Sequence, residues 1–241
     1  MRLLAIDTST EACSAALLLP DGQVLLRLTI TERSHADLIL PMIDSVLAEA
    51  EFRLADLDGL AFGRGPGGFT GLRIAAGVIQ GLAFGAGLKV VPVSSLAAVA
   101  YAVSGTCAGE GVLVCNDARM KELYWSCYRF DPADPCAPIA LSEERVGPPD
   151  SIIAADGARH FPDGVGHFAG NGIPPYRDLQ DRLEAAGLCF HPGVHPRADA
   201  IARIGAVMLE RGQAVDAVDA QPVYVRDNVA RPAGPAVTGM S

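Results

Sequence analysis

The residues most suited to chemistry lie in short, separated motifs. Asp7-Thr8-Ser9-Thr10 ends an apolar run on a carboxylate and follows it with three hydroxyls. Gly63-Arg64-Gly65-Pro66-Gly67-Gly68-Phe69-Thr70-Gly71-Leu72-Arg73 contains G-x-G-x-x-G at 63, 65 and 68. Taken alone that is a dinucleotide fingerprint, but the ribose acid expected about 20 residues further on is missing. That region reads Val91-Pro92-Val93-Ser94-Ser95. A phosphate loop would need Gly-Lys-Ser/Thr, and the only lysines are Lys89 and Lys121, neither after a glycine loop. A tight strand-to-helix connection accounts for the glycines and leaves Arg64, Thr70 and Arg73 to be explained.

The remaining motifs are weaker. His191-x-x-x-His195 has the spacing of two metal ligands on a helix, but Pro192, Gly193 and Pro196 break that helix and only Cys189 stands nearby. No metal site and no cofactor are therefore expected. The six cysteines form no C-x-x-C pair and are expected to be reduced structural thiols. There is no G-x-S-x-G nucleophile motif. His35 follows Ser34, a candidate N-cap, and is expected in an exposed first turn or at an interface.

These motifs need elements to hold them. Residues 2 to 7, 13 to 19 and 24 to 30 are apolar runs, with Pro20-Asp21-Gly22 as the turn between the second and third, which predicts a three-stranded meander. From Ser34, apolar residues at 38, 39, 42, 43, 46, 47 and 50 predict a helix with one wide apolar face, interrupted by Pro41. A strand at 57 to 62, a helix at 72 to 86 and a strand at 88 to 93 follow. Gly77, Gly81 and Gly85 form a smooth strip on that second helix. Each costs about 0.5 to 1 kcal/mol relative to alanine, so a strip in register predicts close approach of another backbone, either within the chain or in another subunit.

At Gly111 the pattern restarts. Val112 to Asp117 is a strand ending on an acid and Leu123 to Phe130 a second strand, which repeats Leu3 to Asp7 and Cys13 to Leu19. This predicts an internal duplication with a shorter second copy, interrupted by Pro-rich loops at 132 to 138 and 147 to 149. A strand at 165 to 169, helices at 176 to 186 and 198 to 211, an extended 222 to 227 and a frayed tail from Arg231 complete the plan. Half the residues are hydrophobic, which excludes a disordered chain. The net charge of -9 is the wrong sign for gripping nucleic acid unaided. With no signal-peptide core and no run of about 20 apolar residues, a cytoplasmic protein without a membrane partner is expected.

Several segments, in order along the whole chain, resemble one family. They are Ile6-Asp7-Thr8-Ser9, Arg33-Ser34-His35 leading to Leu40-Pro41-Met42, the glycine segment 63 to 74, Val93-Ser94-Ser95-Leu96, Asp117-Ala118-Arg119-Met120 and Pro222-Val223-Tyr224-Val225-Arg226-Asp227. They resemble the bacterial TsaB (YeaZ) proteins. The resemblance implies an α/β, actin-like (sugar kinase, Hsp70, actin) fold of two duplicated lobes, 1 to 104 and 105 to 241, the second reduced. It implies a non-catalytic subunit in forming N6-threonylcarbamoyladenosine at position 37 of tRNAs that read codons beginning with A. The implied partners are a TsaD-like transferase, a TsaE-like ATPase and a second copy of the chain, with tRNA met through the complex.

In the actin-like ATPases glycine follows the strand-ending acid, and Thr8 stands there in this chain, so Asp7, Thr8 and Ser9 are expected as a vestigial nucleotide-facing hairpin. Gly68 replaces a serine common in relatives. Candidate partner-interface residues are His35, Leu38, Ile39, Met42, Ile43 and Val46 on the first helix with Gly77, Gly81 and Gly85 on the second. Arg64, Arg73 and Arg119 are candidate tRNA contacts. The competing expectations are an independent actin-fold kinase or hydrolase, which must bind ATP by itself, and a metal-dependent glycoprotease.

Overall fold

The computed structural model describes residues 1–31, 34–107 and 109–226; Arg33, Asp227 and the tail expected to fray lie outside them. The first sheet is built from β1 (Leu3–Asp7), β2 (Ala12–Leu18), β3 (Val24–Ile30), β4 (Gly59–Gly65) and β5 (Val90–Ser94), in the order β3-β2-β1-β4-β5. The meander is antiparallel, and β1, β4 and β5 run parallel. Helices α1 (His35–Glu49), α2 (Phe69–Ala86) and α3 (Ser95–Ser104) connect and follow these strands.

The second half repeats the plan with β6 (Gly111–Asp117), β7 (Leu123–Asp131), β8 (Asp134–Ala140), β9 (Arg145–Gly147), β10 (Val165–Ala169), α4 (Arg177–Ala185), β11 (Cys189–His191) and α5 (Ala198–Glu210). The main path of the second sheet, β8-β7-β6-β10-β11, matches the first strand for strand, antiparallel and parallel pairs included. The copy is reduced: β11 has 3 residues against 5 in β5, α4 has 9 against 18 in α2, and among the described residues no α-helix stands where α1 does. This is the α/β, actin-like architecture with two duplicated lobes.

Burial follows from period-two alternation. Along β1, Leu3 and Ala5 enter the core between the two sheets, while Leu4 and Ile6 enter the one beneath α1 and α2. Both faces are covered, so the strand reads as a continuous apolar run. Helices α3 and α5 lie between the sheets, and α4 closes the far face of the second around Trp125, Phe168 and Leu179. The division at residue 104 separates the sheets, yet α5 packs on β1, β2, β4 and β5, and Val215 bridges to Val90.

Several local expectations are corrected. Ser34 precedes α1 with φ 80 and makes no side-chain cap. The wide apolar face of α1 belongs to the chain's own core: Ile39 and Val46 are fully buried, with Ile43 at 2% and Met42 at 9% exposure. They meet β2 and the buried side of α2, each worth about 1.5 to 3 kcal/mol. They cannot fill a seam with another subunit. Helix α2 begins at Phe69 rather than Leu72 and is long and apolar enough to cross a bilayer, although Leu72, Ala75, Ile79 and Ala83 are buried in this fold. The Pro-rich stretch at 132 to 138 contains most of β8, an edge strand, where a missing amide donor is tolerated.

Candidate functional site: the cleft between the lobes

The two equivalent hairpins, at the ends of β1 and β6, face a cleft of about 700 Å³. Thr8 to Glu11 line it from the first lobe, Asp117 to Met120 and Asn171 from the second, and residues 223 to 226 form another wall.

Asp7 is fully buried, and its Oδ1 accepts from the Ser9 amide at 2.9 Å and the Ser9 hydroxyl at 2.8 Å, while Oδ2 accepts from Ser95 Oγ at 3.1 Å. Burial raises its pKa above the ordinary carboxylate value, and the Ser9 and Ser95 hydrogen bonds oppose that rise. Thr8 donates to the Gly71 carbonyl at 2.7 Å, and the Gly68 amide donates to Ser9 O at 2.7 Å. A Cβ on Gly71 would stand 1.9 Å from Thr8 O, and one on Gly67 2.4 Å from Ser9 O. The glycine segment therefore presses on the first hairpin, and this backbone contact is what its composition serves. Asp7, Thr8 and Ser9 are 0%, 1% and 1% exposed, and their side chains are hydrogen-bonded within the chain. At Gly68 a Cβ would make only an ordinary contact with Ser9 O at 3.6 Å, so serine would fit there.

The second hairpin is different. Arg119, Met120 and Lys121 all adopt left-handed backbone, with φ of 60, 55 and 63, and Met120 is 73% exposed. Left-handed residues other than glycine cost about 1 to 2 kcal/mol each, and such strain gathers at sites of recognition. Below it, Asn171 links the lobes: its Oδ1 accepts from the Asp117 amide at 3.1 Å and its Nδ2 donates to Glu11 Oε2 at 2.8 Å. His195 Nδ1 lies 3.4 Å from Glu11 Oε1, so His195 turns away from any pairing with His191. His35 is half-buried and donates from Nε2 to Thr10 O at 2.9 Å, which ties α1 to the first hairpin.

The three arginines do not form one patch. Arg64 makes a bidentate pair with Glu144 at 3.0 and 3.1 Å and lines a second cavity with Ser94 and Tyr128. Arg73 is exposed, stacks 3.8 Å over the Phe69 ring and donates to Tyr224 Oη at 3.3 Å. Arg119 pairs with Asp117 at 2.9 Å. Sequence reasoning missed the roles of Glu11, Asn171 and Tyr224. Asn171 carried a signal in its Gly-Asn-Gly turn at the end of an equivalent strand. The extended segment at 222 to 226 is a strap: the Val223 amide donates to Arg64 O at 2.8 Å, and Arg226 pairs with Glu122 beside the second hairpin.

The glycine strip faces outward. Among the described residues, nothing outside the helix's own turns lies within 4 Å of a Cβ built on Gly77, Gly81 or Gly85, and the neighbouring Phe84 is 86% exposed. The chain's own backbone does not need these glycines for close approach; on α5, Gly205 does, where a Cβ would come 2.9 Å from Ala61 Cβ.

Comparison with known proteins places this arrangement. The family model described as "TsaD: tRNA N6-adenosine threonylcarbamoyltransferase" matches residues 29–233. The tRNA threonylcarbamoyladenosine biosynthesis protein TsaB of Escherichia coli K12 is 38% identical over 232 residues, 95% of this chain and 96% of that one. The TsaB of Haemophilus influenzae is 51% identical over 126 residues, about half of each chain. The solved structure described as YeaZ from Pseudomonas aeruginosa superposes with a TM-score of 0.79 at 37% identity, over 92% of this chain and 99% of that one. Likeness of this depth over nearly the full length means that the chain belongs to the TsaB (YeaZ) family, within the wider group that the TsaD model describes.

Proposed function

We propose that this chain acts in tRNA threonylcarbamoyladenosine biosynthesis as a non-catalytic subunit, beside a TsaD-type transferase that performs the chemistry at position 37 of tRNAs reading codons that begin with A. A TsaE-type ATPase completes the assembly, and the chain works in the cytoplasm without a membrane partner. The observation that carries this reading is the closed first hairpin: Asp7 is buried and the glycine segment lies against the backbone of Thr8 and Ser9, where a phosphate would otherwise be received. The relatives' names support the pathway.

The outward glycine strip on α2 is the proposed docking face, used for self-association or for the transferase, and the two uses compete. Beside it lie Thr70, Arg73 and Phe84, all exposed. Tight tRNA binding by the chain alone is not expected, because Arg64 and Arg119 are engaged with Glu144 and Asp117 and the net charge is -9.

Reconstitution with a TsaD-type and a TsaE-type partner tests the role. Modified tRNA should form only when this chain and the transferase are both present. A folded Gly81→Leu variant should lose both dimer mass and transferase affinity. Robust turnover by the chain alone, abolished in Asp7→Ala, would overturn the reading and favour the kinase alternative.

A further inference from the structure

Away from the cleft, a thiol and two imidazoles, from Cys107, His167 and His191, come together from three places in the chain, and Cys189 lies on the same strand as His191. Cys107 lies in the turn after α3, His167 on β10, and Cys189 and His191 on β11. The parallel register pairs His167 with Cys189 and Ala169 with His191. Alternation then puts His167, Cys189 and His191 on one face of the sheet. Ligand atoms of Cys107, His167 and His191 all lie within 4.8 Å of one another. None of these residues lines the cleft.

The imidazoles are oriented. His167 Nε2 lies 3.1 Å from Glu110 Oε2, so in the neutral ring Nε2–H donates to the carboxylate, which leaves Nδ1 as a lone pair. That lone pair points at His191 Nε2, 3.0 Å away. A carboxylate behind an imidazole whose other nitrogen meets further nitrogen and sulfur donors is the second-shell pattern of metal sites. Zinc takes bonds of about 2.0 to 2.1 Å to nitrogen and about 2.3 Å to sulfur, which sets ligand atoms roughly 3.3 to 3.8 Å apart around a tetrahedron. Cys107, His167 and His191, with ligand atoms within 4.8 Å of one another, already stand near that spacing, and the exposed Cys189 has to turn its thiol inward to complete it.

A metal-free account is available too: Cys107 Sγ donates to Val103 O at 3.1 Å, and one proton between the imidazoles makes an N–H···N bond. It leaves unexplained why a thiol and two imidazoles from three elements converge with a carboxylate already in the orienting position.

We propose that the Cys107 thiolate, His167 Nδ1, His191 Nε2 and the Cys189 thiolate bind one Zn²⁺, with Glu110 positioning His167. Each thiol releases its proton to solvent as its sulfur–zinc bond forms, and no redox change occurs. The ion would clip β11, a three-residue edge strand, to the end of α3.

The full-length chain, reduced and stripped of metal, is titrated with Co²⁺ and then Zn²⁺. We expect one Co²⁺ per chain, with the visible bands of a tetrahedral ion and thiolate charge-transfer bands, displaced by Zn²⁺, and a melting temperature several degrees higher with Zn²⁺. His191→Gln should weaken Zn²⁺ binding by more than ~100-fold and Glu110→Gln by ~10- to 100-fold, while His160→Gln changes nothing. Cys189→Ser, at an exposed position that does not test folding, should remove about half the charge-transfer intensity. Zn²⁺ binding weaker than about 1 μM, absence of tetrahedral bands, or wild-type spectra in Cys189→Ser and His191→Gln would overturn the site.

Discussion

The β1–β2 and β6–β7 hairpins hold equivalent places in two copies of one topology, each beginning where a strand ends on an aspartate, Asp7 or Asp117. The first is sealed: its acid is buried, its hydroxyls are bonded inward, and Gly67 and Gly71 are seated on its backbone. The second is open and strained, with three successive left-handed residues and an exposed Met120. The repeated topology carries two equivalent hairpins; one is a packing element and the other a presented loop. A site's ancestry is therefore written in its topology, while its present use is written in what covers it.

Disturbing the seal should have the largest effect. Gly71→Ala drives a methyl into Thr8 O and is expected to destabilise the chain by about 3 kcal/mol, measured by urea unfolding. A near-neutral result would mean the first hairpin is loosely held and the contrast between lobes is false.

Asp7→Asn comes next, and its effect depends on pH. Because burial raises the folded-state pKa of Asp7, the native state holds the proton more tightly than the unfolded state. Wild-type stability from this group is therefore fullest below the unfolded value and falls as pH rises through the folded one. Asparagine keeps an acceptor for Ser9 and carries no charge. The variant should gain on wild type steadily from pH 4 towards pH 7, with tRNA modification retained in the reconstituted system. Equal pH profiles for the two proteins would show that Asp7 is not desolvated as described.

Met120→Gly should have the smallest effect on stability and the opposite sign. Glycine relieves one left-handed residue on an exposed loop, so a gain of about 1 kcal/mol is expected. If the strain serves recognition, the same variant should bind the transferase more weakly; unchanged binding would leave the open hairpin without a role in docking.

The sequence made much of this visible, and the failures have physical causes. The amphipathic α4 and α5 were legible within one residue at each end because one face of each is polar. Helix α3 was not, since Ser95 to Val99 are buried on every side and show no stripe, although Ser94 caps it by accepting from the Ala97 amide at 3.2 Å. The apolar face of α1 was read correctly as a face and wrongly as a seam, because periodicity does not say whether a sheet or another subunit lies against it. Asp7 stood out as chemistry-bearing, but only the structure shows Gly63 closed over it and Gly71 seated on Thr8 beside it. His191 was paired by spacing with His195, whereas the fold sets its Nε2 3.0 Å from His167 Nδ1 on the neighbouring strand.

Helices α3 and α5 change sides: α3, made with the first half of the chain, packs mainly on β6, β7 and β8, whereas α5, made near the end, covers β1, β2, β4 and β5. A chain leaving the ribosome therefore holds a first sheet whose inner face, with Leu3, Ala5, Ala61 and Val93, stays uncovered until residue 210 has been made. Neither half is expected to fold as a unit by itself. Nascent chains stalled at residue 104 should recruit holdase chaperones, and chains released beyond residue 226 should not. The duplication that built this protein from two copies has been overwritten by an exchange of helices that makes each copy the other's missing layer.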